Sequence, residues 1–203
     1  MYGLIRRTLF RMNLQHVNVK LFARDPEKID LEPLIPVFHS WIAGKVCDEL
    51  LLDVADYRHV ADGPGVMLIG LQADYSVDNA GGRLGVRYNR KAAIEGDSQE
   101  GLRQATHSAL VAFERLQADQ RLAGKLAFDG QEIEIFVNDR LVAPNTEATR
   151  DAHRAEFQKF FSKLLRGAEF SLTYDTDPRR LFGLTAKSSK PFTVAQLLQN
   201  LAA

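Results

Sequence analysis

Apolar and polar positions alternate over residues 16–23. Val17, Val19 and Leu21 fall on one side and Asn18 and Lys20 on the other, which predicts a half-buried strand. The period then lengthens. Leu31, Leu34, Ile35, Phe38 and Ile42 recur at helical spacing over 30–44, with Asp30 as a start cap and Gly44 as a stop. Pro33 suits a first turn. Pro36 lacks an amide donor and crowds the preceding turn, so the pattern predicts a kink or restart there. Residues 50–54 read as a short strand. The unbroken apolar run 66–71 reads as a central or doubly covered strand continuing to Val77. Over 83–90, Leu84, Val86 and Tyr88 point inward, and Arg83, Arg87 and Asn89 point outward. Glycines in 78–82 supply the turn before them.

Asp97 and Glu100 have the form of a helix start, and Leu102, Ala105, Ala109, Phe113 and Leu116 mark a buried face ending near Gln120. Asp129-Gly130, between 126–128 and 131–137, is the strongest short-range hairpin signal in the chain. A helix opened by residues 144–146 carries Phe157, Phe160, Phe161, Leu164 and Leu165 on one face and stops at Gly167. Phe170, Leu172 and Tyr174 alternate before a turn at 175–180, and 181–186 returns. Thr193 and Gln196 form a capping box, with Phe192 and Leu197 at the staple positions. That helix is expected to dock on the body.

The expected order is β-α-β-β-β-α-β-β-α-β-β-α. Hairpins dominate the connections, so the fold class is α+β: a mostly antiparallel sheet with helices layered on it. A weak internal echo accompanies this order. Residues 19–25 (VKLFARD) reappear as 133–139 (IEIFVND), and each copy precedes a helix, a hairpin and a second helix. The echo suggests a duplicated β-α-hairpin-α unit, with a tail over 1–15 and halves over 16–121 and 122–203 packed as one body. Low identity between the halves leaves a coincidental order open.

Composition narrows the classes. In 203 residues, Lys+Arg and Asp+Glu are both 26, so the formal net charge is zero. General nucleic-acid binding, which draws on a basic surplus, is disfavoured. The single cysteine, Cys47, excludes an intrachain disulfide and a multi-thiolate zinc site. It reads as a buried or indifferent thiol rather than a nucleophile. No run approaches the ~20 apolar residues of a membrane span. The mixed basic and apolar residues of 1–12 lack a signal-peptide core, and Met12 is an alternative start. The segment reads as a frayed or partner-docked tail, with a membrane-touching amphipathic segment as the alternative. A cytoplasmic location is the default expectation.

Two stretches hold candidate chemistry. Residues 53–65 bring Asp53, Asp56, Tyr57, Arg58, His59 and Asp62 into one loop-like segment between apolar strands. Asp56 orienting His59 as a general base is the catalytic reading, and Asp53 and Asp62 are candidate ligand contacts. The spacing matches no metal motif, and turn-capping aspartates with a solvated imidazole account for the same residues. The second stretch is the polar strand face of Arg83, Arg87, Asn89 and Arg90. With Tyr75, Asp78 and Asn79 across the hairpin, it offers arginine forks to an anion. A charged, aggregation-blocking strand is its alternative. His39 reads as a core or boundary histidine, and His107 and His153 as surface. No phosphate loop, serine elbow or HExxH is present, and no cofactor is indicated.

Three functions fit these features: a non-catalytic module binding a small ligand or a protein partner, a small hydrolytic or metal-assisted enzyme using 53–65, and a structural homo-oligomer subunit. The first is the leading expectation, because no catalytic motif stands out.

Overall fold

The computed structural model describes residues 13–203. The tail expected over 1–15 therefore lies almost wholly outside the described residues. Eight strands form one antiparallel sheet: β1 (Val17–Ala23), β2 (Leu51–Tyr57), β3 (Gly65–Gly70), β4 (Ala73–Asp78), β5 (Gly85–Arg90), β6 (Phe128–Val137), β7 (Phe170–Tyr174) and β8 (Phe182–Ser188). Their order across the sheet is β2-β3-β4-β5-β1-β6-β8-β7. Four helices cover one face: α1 (Leu34–Gly44), α2 (Ser98–Ala118), α3 (Glu147–Leu164) and α4 (Val194–Ala202). α2 lies over β1 and β5, α1 over β2 and β3, and α3 over β8. α4 packs on α2 and α3. The fold is α+β, as the hairpin-rich pattern predicts.

The alternation of β1 explains its central place. Val17, Val19 and Leu21 face the helices and are buried, as are their counterparts Val86 and Tyr88 on β5 and Ile133, Ile135 and Val137 on β6. The aromatic stripe of α3 closes the far end of this layer, where Phe157 meets Phe182 edge-on at 6.0 Å and Phe161 meets Phe170 at 6.1 Å. α4 docks through Leu197 and Leu201. Asn200 fastens it by donating to the Leu164 carbonyl, 2.8 Å. The capping box at Thr193 and Gln196 is formed in full.

Several local expectations are corrected. Pro36 causes no kink, because α1 starts at Leu34 rather than Asp30 and leaves Pro36 in the first turn, where an amide has no intrahelical partner. Asp30 instead accepts from the Glu32 amide, 3.0 Å. Residues 66–77 are not one strand: Leu71 and Gln72 turn the chain between β3 and β4, so Ile69 pairs with Asp74. Asp129-Gly130 makes no hairpin. β6 runs through it with a register shift against β1 between Leu21 and Ala23, and the Gly130 carbonyl accepts from the Phe192 amide, 2.7 Å. The reason is tertiary: β1 is a long template that keeps β6 extended, and the turn chemistry relaxes into a bulge. The observed order is thus β-α-β-β-β-β-α-β-α-β-β-α. His39 is exposed, whereas His153 is buried beside Phe182.

Outward from the β1–β6 seam, the sheet reads β5-β4 on one side and β8-β7 on the other. The two hairpins of the echo therefore occupy corresponding places. Lys20 pairs with Glu134 across the seam, Phe22 lies opposite Gly85, and Phe136 lies opposite Gly183. Each glycine sits where backbone approaches closely. A Cβ on Gly85 would fall 2.5 Å from the Leu21 carbonyl oxygen, and one on Gly183 would fall 2.7 Å from the Phe136 Cβ.

Candidate functional site

The residues of 53–65 are not gathered into a site. β2 runs on to Tyr57, so half of the expected loop is edge strand. Asp53 is exposed and accepts from the adjacent Val54 amide, 2.8 Å. Asp56 is engaged by Arg58, with Nε and Nη2 donating to its two oxygens at 2.9 and 2.8 Å. That side-chain hydrogen bond, aided by the Arg58 amide, holds the Asp56 pKa down to about 2. His59 is exposed and stacks on Tyr57, with ring centroids 6.4 Å apart. Asp62 accepts from the Gly81 and Gly82 amides at 2.5 and 3.2 Å, tying this turn to the β4–β5 hairpin. No group of three or more metal-ligating side chains occurs among the described residues.

The second stretch divides between the two faces of the sheet. Tyr75 points to the helix side. There its hydroxyl donates to Glu49, 2.7 Å, and Tyr88 donates to the other Glu49 oxygen, 2.8 Å. Burial pushes the Tyr75 phenol well up and the Tyr88 phenol up to about 12. Arg90 also lies on this side, its Nε donating to the Ala92 carbonyl. Cys47 completes the cluster. Burial first, and the nearby Glu49 charge, raise its thiol to about 11 against a reference of 9.0. A folded-state pKa above the unfolded one means that stability from this group is intact below pH 9 and lost as pH rises toward 11. At pH 8 the thiolate fraction is about a hundredfold below that of an exposed cysteine. Iodoacetamide labelling followed by mass spectrometry should therefore be about a hundredfold slower in the native protein than in urea. Equal rates would contradict the buried setting.

Arg83, Arg87 and Asn89 lie on the opposite face, which no helix among the described residues covers. Asn89 donates to Asp74, 3.4 Å. The two arginines border a groove of about 430 Å³ between the β4–β5 and β7–β8 hairpins, over the β1–β6 seam. Its floor is built from strand residues that share this face: Lys20 and Phe22 of β1, Glu134 and Phe136 of β6, Thr185 of β8 and Thr173 of β7. The Arg83 guanidinium lies 3.6 Å above the Phe22 ring, and that of Arg87 lies 4.2 Å above Phe136. This stacking shields both aromatic rings and fixes the planes of two forks.

Two charge triads frame the floor. Asp78, fully buried, accepts from Lys20 and from Arg87 at 3.2 Å. Glu132 accepts from Arg83 and from Lys187 at 2.8 Å. Burial alone would raise the Glu132 pKa, but the hydrogen bonds from Lys187 and Arg83 outweigh it and hold the carboxyl below its usual range. Each triad sets two cations on one carboxylate, so each keeps one formal positive charge. Lys20 is 1% exposed although it stands on the helix-free face. Its ammonium is committed to Asp78 and to the Ala80 carbonyl, 3.1 Å.

Arg87 was legible in the sequence as a candidate contact. Lys20, Phe22, Glu134 and Phe136 were not, although all four belong to the echoed segments. The available signal was that Lys20 and Glu134 hold the same place in the two echoed segments, and the β1–β6 ladder pairs them. No protein-family model matches the chain, and no curated protein is significantly similar to it in sequence. No helix among the described residues is long and apolar enough to cross a membrane.

Proposed function

We propose that this protein is a non-catalytic binding module whose small-molecule ligand occupies the groove over the β1–β6 seam. One observation carries the reading: the groove joins two arginine forks, pre-stacked on Phe22 and Phe136, with threonine hydroxyls and a carboxylate in a volume of ligand size. Rigid strands present these groups, so the site is largely formed before binding and little ordering entropy opposes it. Native mass spectrometry of protein purified from its own host tests this. The unmodified protein should retain a small-molecule mass. Thr185→Trp, which fills the groove from its floor on β8, should lose it. A protein that carries no adduct, or an adduct that survives in Thr185→Trp, would count against the groove.

A second reading, self-association, is favoured by a separate observation. Leu50, Leu52 and Leu71 are 57%, 52% and 59% exposed beside the edge strand β2, which pairs with no further strand on its outer side among the described residues. Open edges carrying apolar side chains invite pairing with another strand. Light scattering should report a dimer that Leu52→Lys converts to monomer. A monomer at micromolar concentration before any substitution would dismiss this reading.

A further inference from the structure

We infer that the ligand of this groove is a small zwitterion, a free α-amino acid, held by its carboxylate at Arg87 and by its ammonium at Glu134. The inference rests on the groove being a ligand site and adds the chemistry of what enters it. Opposite charges meet at the seam. Each triad keeps one uncompensated positive charge; the first places Arg87 on the β5 side, while the second straddles the seam through Arg83, Glu132 of β6 and Lys187 of β8. On the β6 side stands Glu134, the counterpart of Lys20 in register, which makes no ion pair among the described residues. An anion site would have no use for a free carboxylate on its floor. Like-charge repulsion there would cost affinity.

The spacing suits one small molecule. Arg87 reaches across β1 to lay its guanidinium on Phe136. Phe136 and Glu134 are two residues apart on one strand and share a face. At a rise of ~3.3 Å per residue, the guanidinium therefore stands over a point about 7 Å along the strand from the Glu134 backbone. The Glu134 side chain can cover part of that distance, leaving a gap on the scale of an amino acid's own charge separation. Asp78 occupies only Nη1 of Arg87, and a guanidinium has five N–H donors, so an edge remains for a carboxylate. The Thr173 and Thr185 hydroxyls continue the floor beyond Glu134 and can accept from an ammonium.

The test uses the full chain, stripped of any retained ligand by unfolding and refolding. Thermal shift against the twenty L-amino acids selects the best binder. Calorimetry then compares that amino acid with its decarboxylated amine, its des-amino acid and inorganic phosphate. The amino acid should bind at least tenfold more tightly than each of the three. Glu134→Gln, checked by circular dichroism, should erase the preference over the des-amino acid while leaving the des-amino acid's own affinity equal or improved. If the des-amino acid or phosphate binds the unmodified protein as tightly as the amino acid, the zwitterion is wrong and the groove is an anion site. If no amino acid binds, while native mass spectrometry still finds an adduct that Thr185→Trp removes, the zwitterion is wrong and the groove reading stands. Absence of both signals overturns both.

Discussion

Asp78→Ala is expected to lower stability by about 3–5 kcal/mol, because it strands a buried cation. Lys20 is 1% exposed, and Asp78, at 0%, is its only carboxylate partner among the described residues. With that carboxylate gone, the ammonium keeps only the Ala80 carbonyl, and Arg87 loses its anchor as well. Lys20→Met should cost clearly less, because Asp78 would still accept from Arg87 and from the Ala80 amide. Urea midpoints at constant slope measure both. Equal losses for the two variants would mean that packing, rather than the unpaired charge, dominates this spot. The order of the two effects also reports on the groove, since the same pair holds its floor in place.

The other large loss is expected from Phe161→Ala, about 3–5 kcal/mol through lost transfer energy and the cavity left behind. Phe161 is fully buried on α3, edge-on to Phe160 at 5.2 Å and tilted against Phe170 at 6.1 Å. Leu141→Ala is the natural control. That side chain is 94% exposed, and its loss should stay within about 0.5 kcal/mol. A loss below about 1 kcal/mol for Phe161→Ala would show that α3 does not seal the β7–β8 end of the core.

The fold was legible where a local period reports a face. The alternation of 16–23 and 83–90 places β1 and β5 correctly, and the 3.6 period of 97–120 and 146–165 places α2 and α3. The local pattern misleads where tertiary contacts overrule local chemistry. Leu71-Gln72 turns the chain with no glycine, proline or asparagine at its two central positions, its one glycine being the flanking Gly70, whereas Asp129-Gly130 carries the stronger turn signal and stays within a strand paired to β1. His153 stands among charged sequence neighbours, Asp151 and Arg154. Its spacing of four from Phe157 places it on the buried stripe.

The candidate site was harder to read for a related reason. Density along the chain drew attention to 53–65, but successive residues of an edge strand point to opposite faces, and Asp56 and Asp62 are spent on Arg58 and on two glycine amides. The groove draws its side chains from β1, β5, β6, β7 and β8, separated by up to 165 residues from Lys20 to Thr185. Asn18 and Lys20 look solvent-facing in the sequence. In the fold they are buried at 2% and 1%, because Phe22, Arg87 and Phe136 from three strands stand around them.

Hydrogen exchange, compared between protein taken from its host and protein stripped by refolding, tests the central claim most directly. Retained ligand should slow exchange in the peptides that border the groove: 17–23, 78–87, 133–137 and 173–185. Peptides covering 50–65 should be unchanged. Protection confined to 50–65, or no difference in any peptide, would contradict a ligand site on the open face of the sheet.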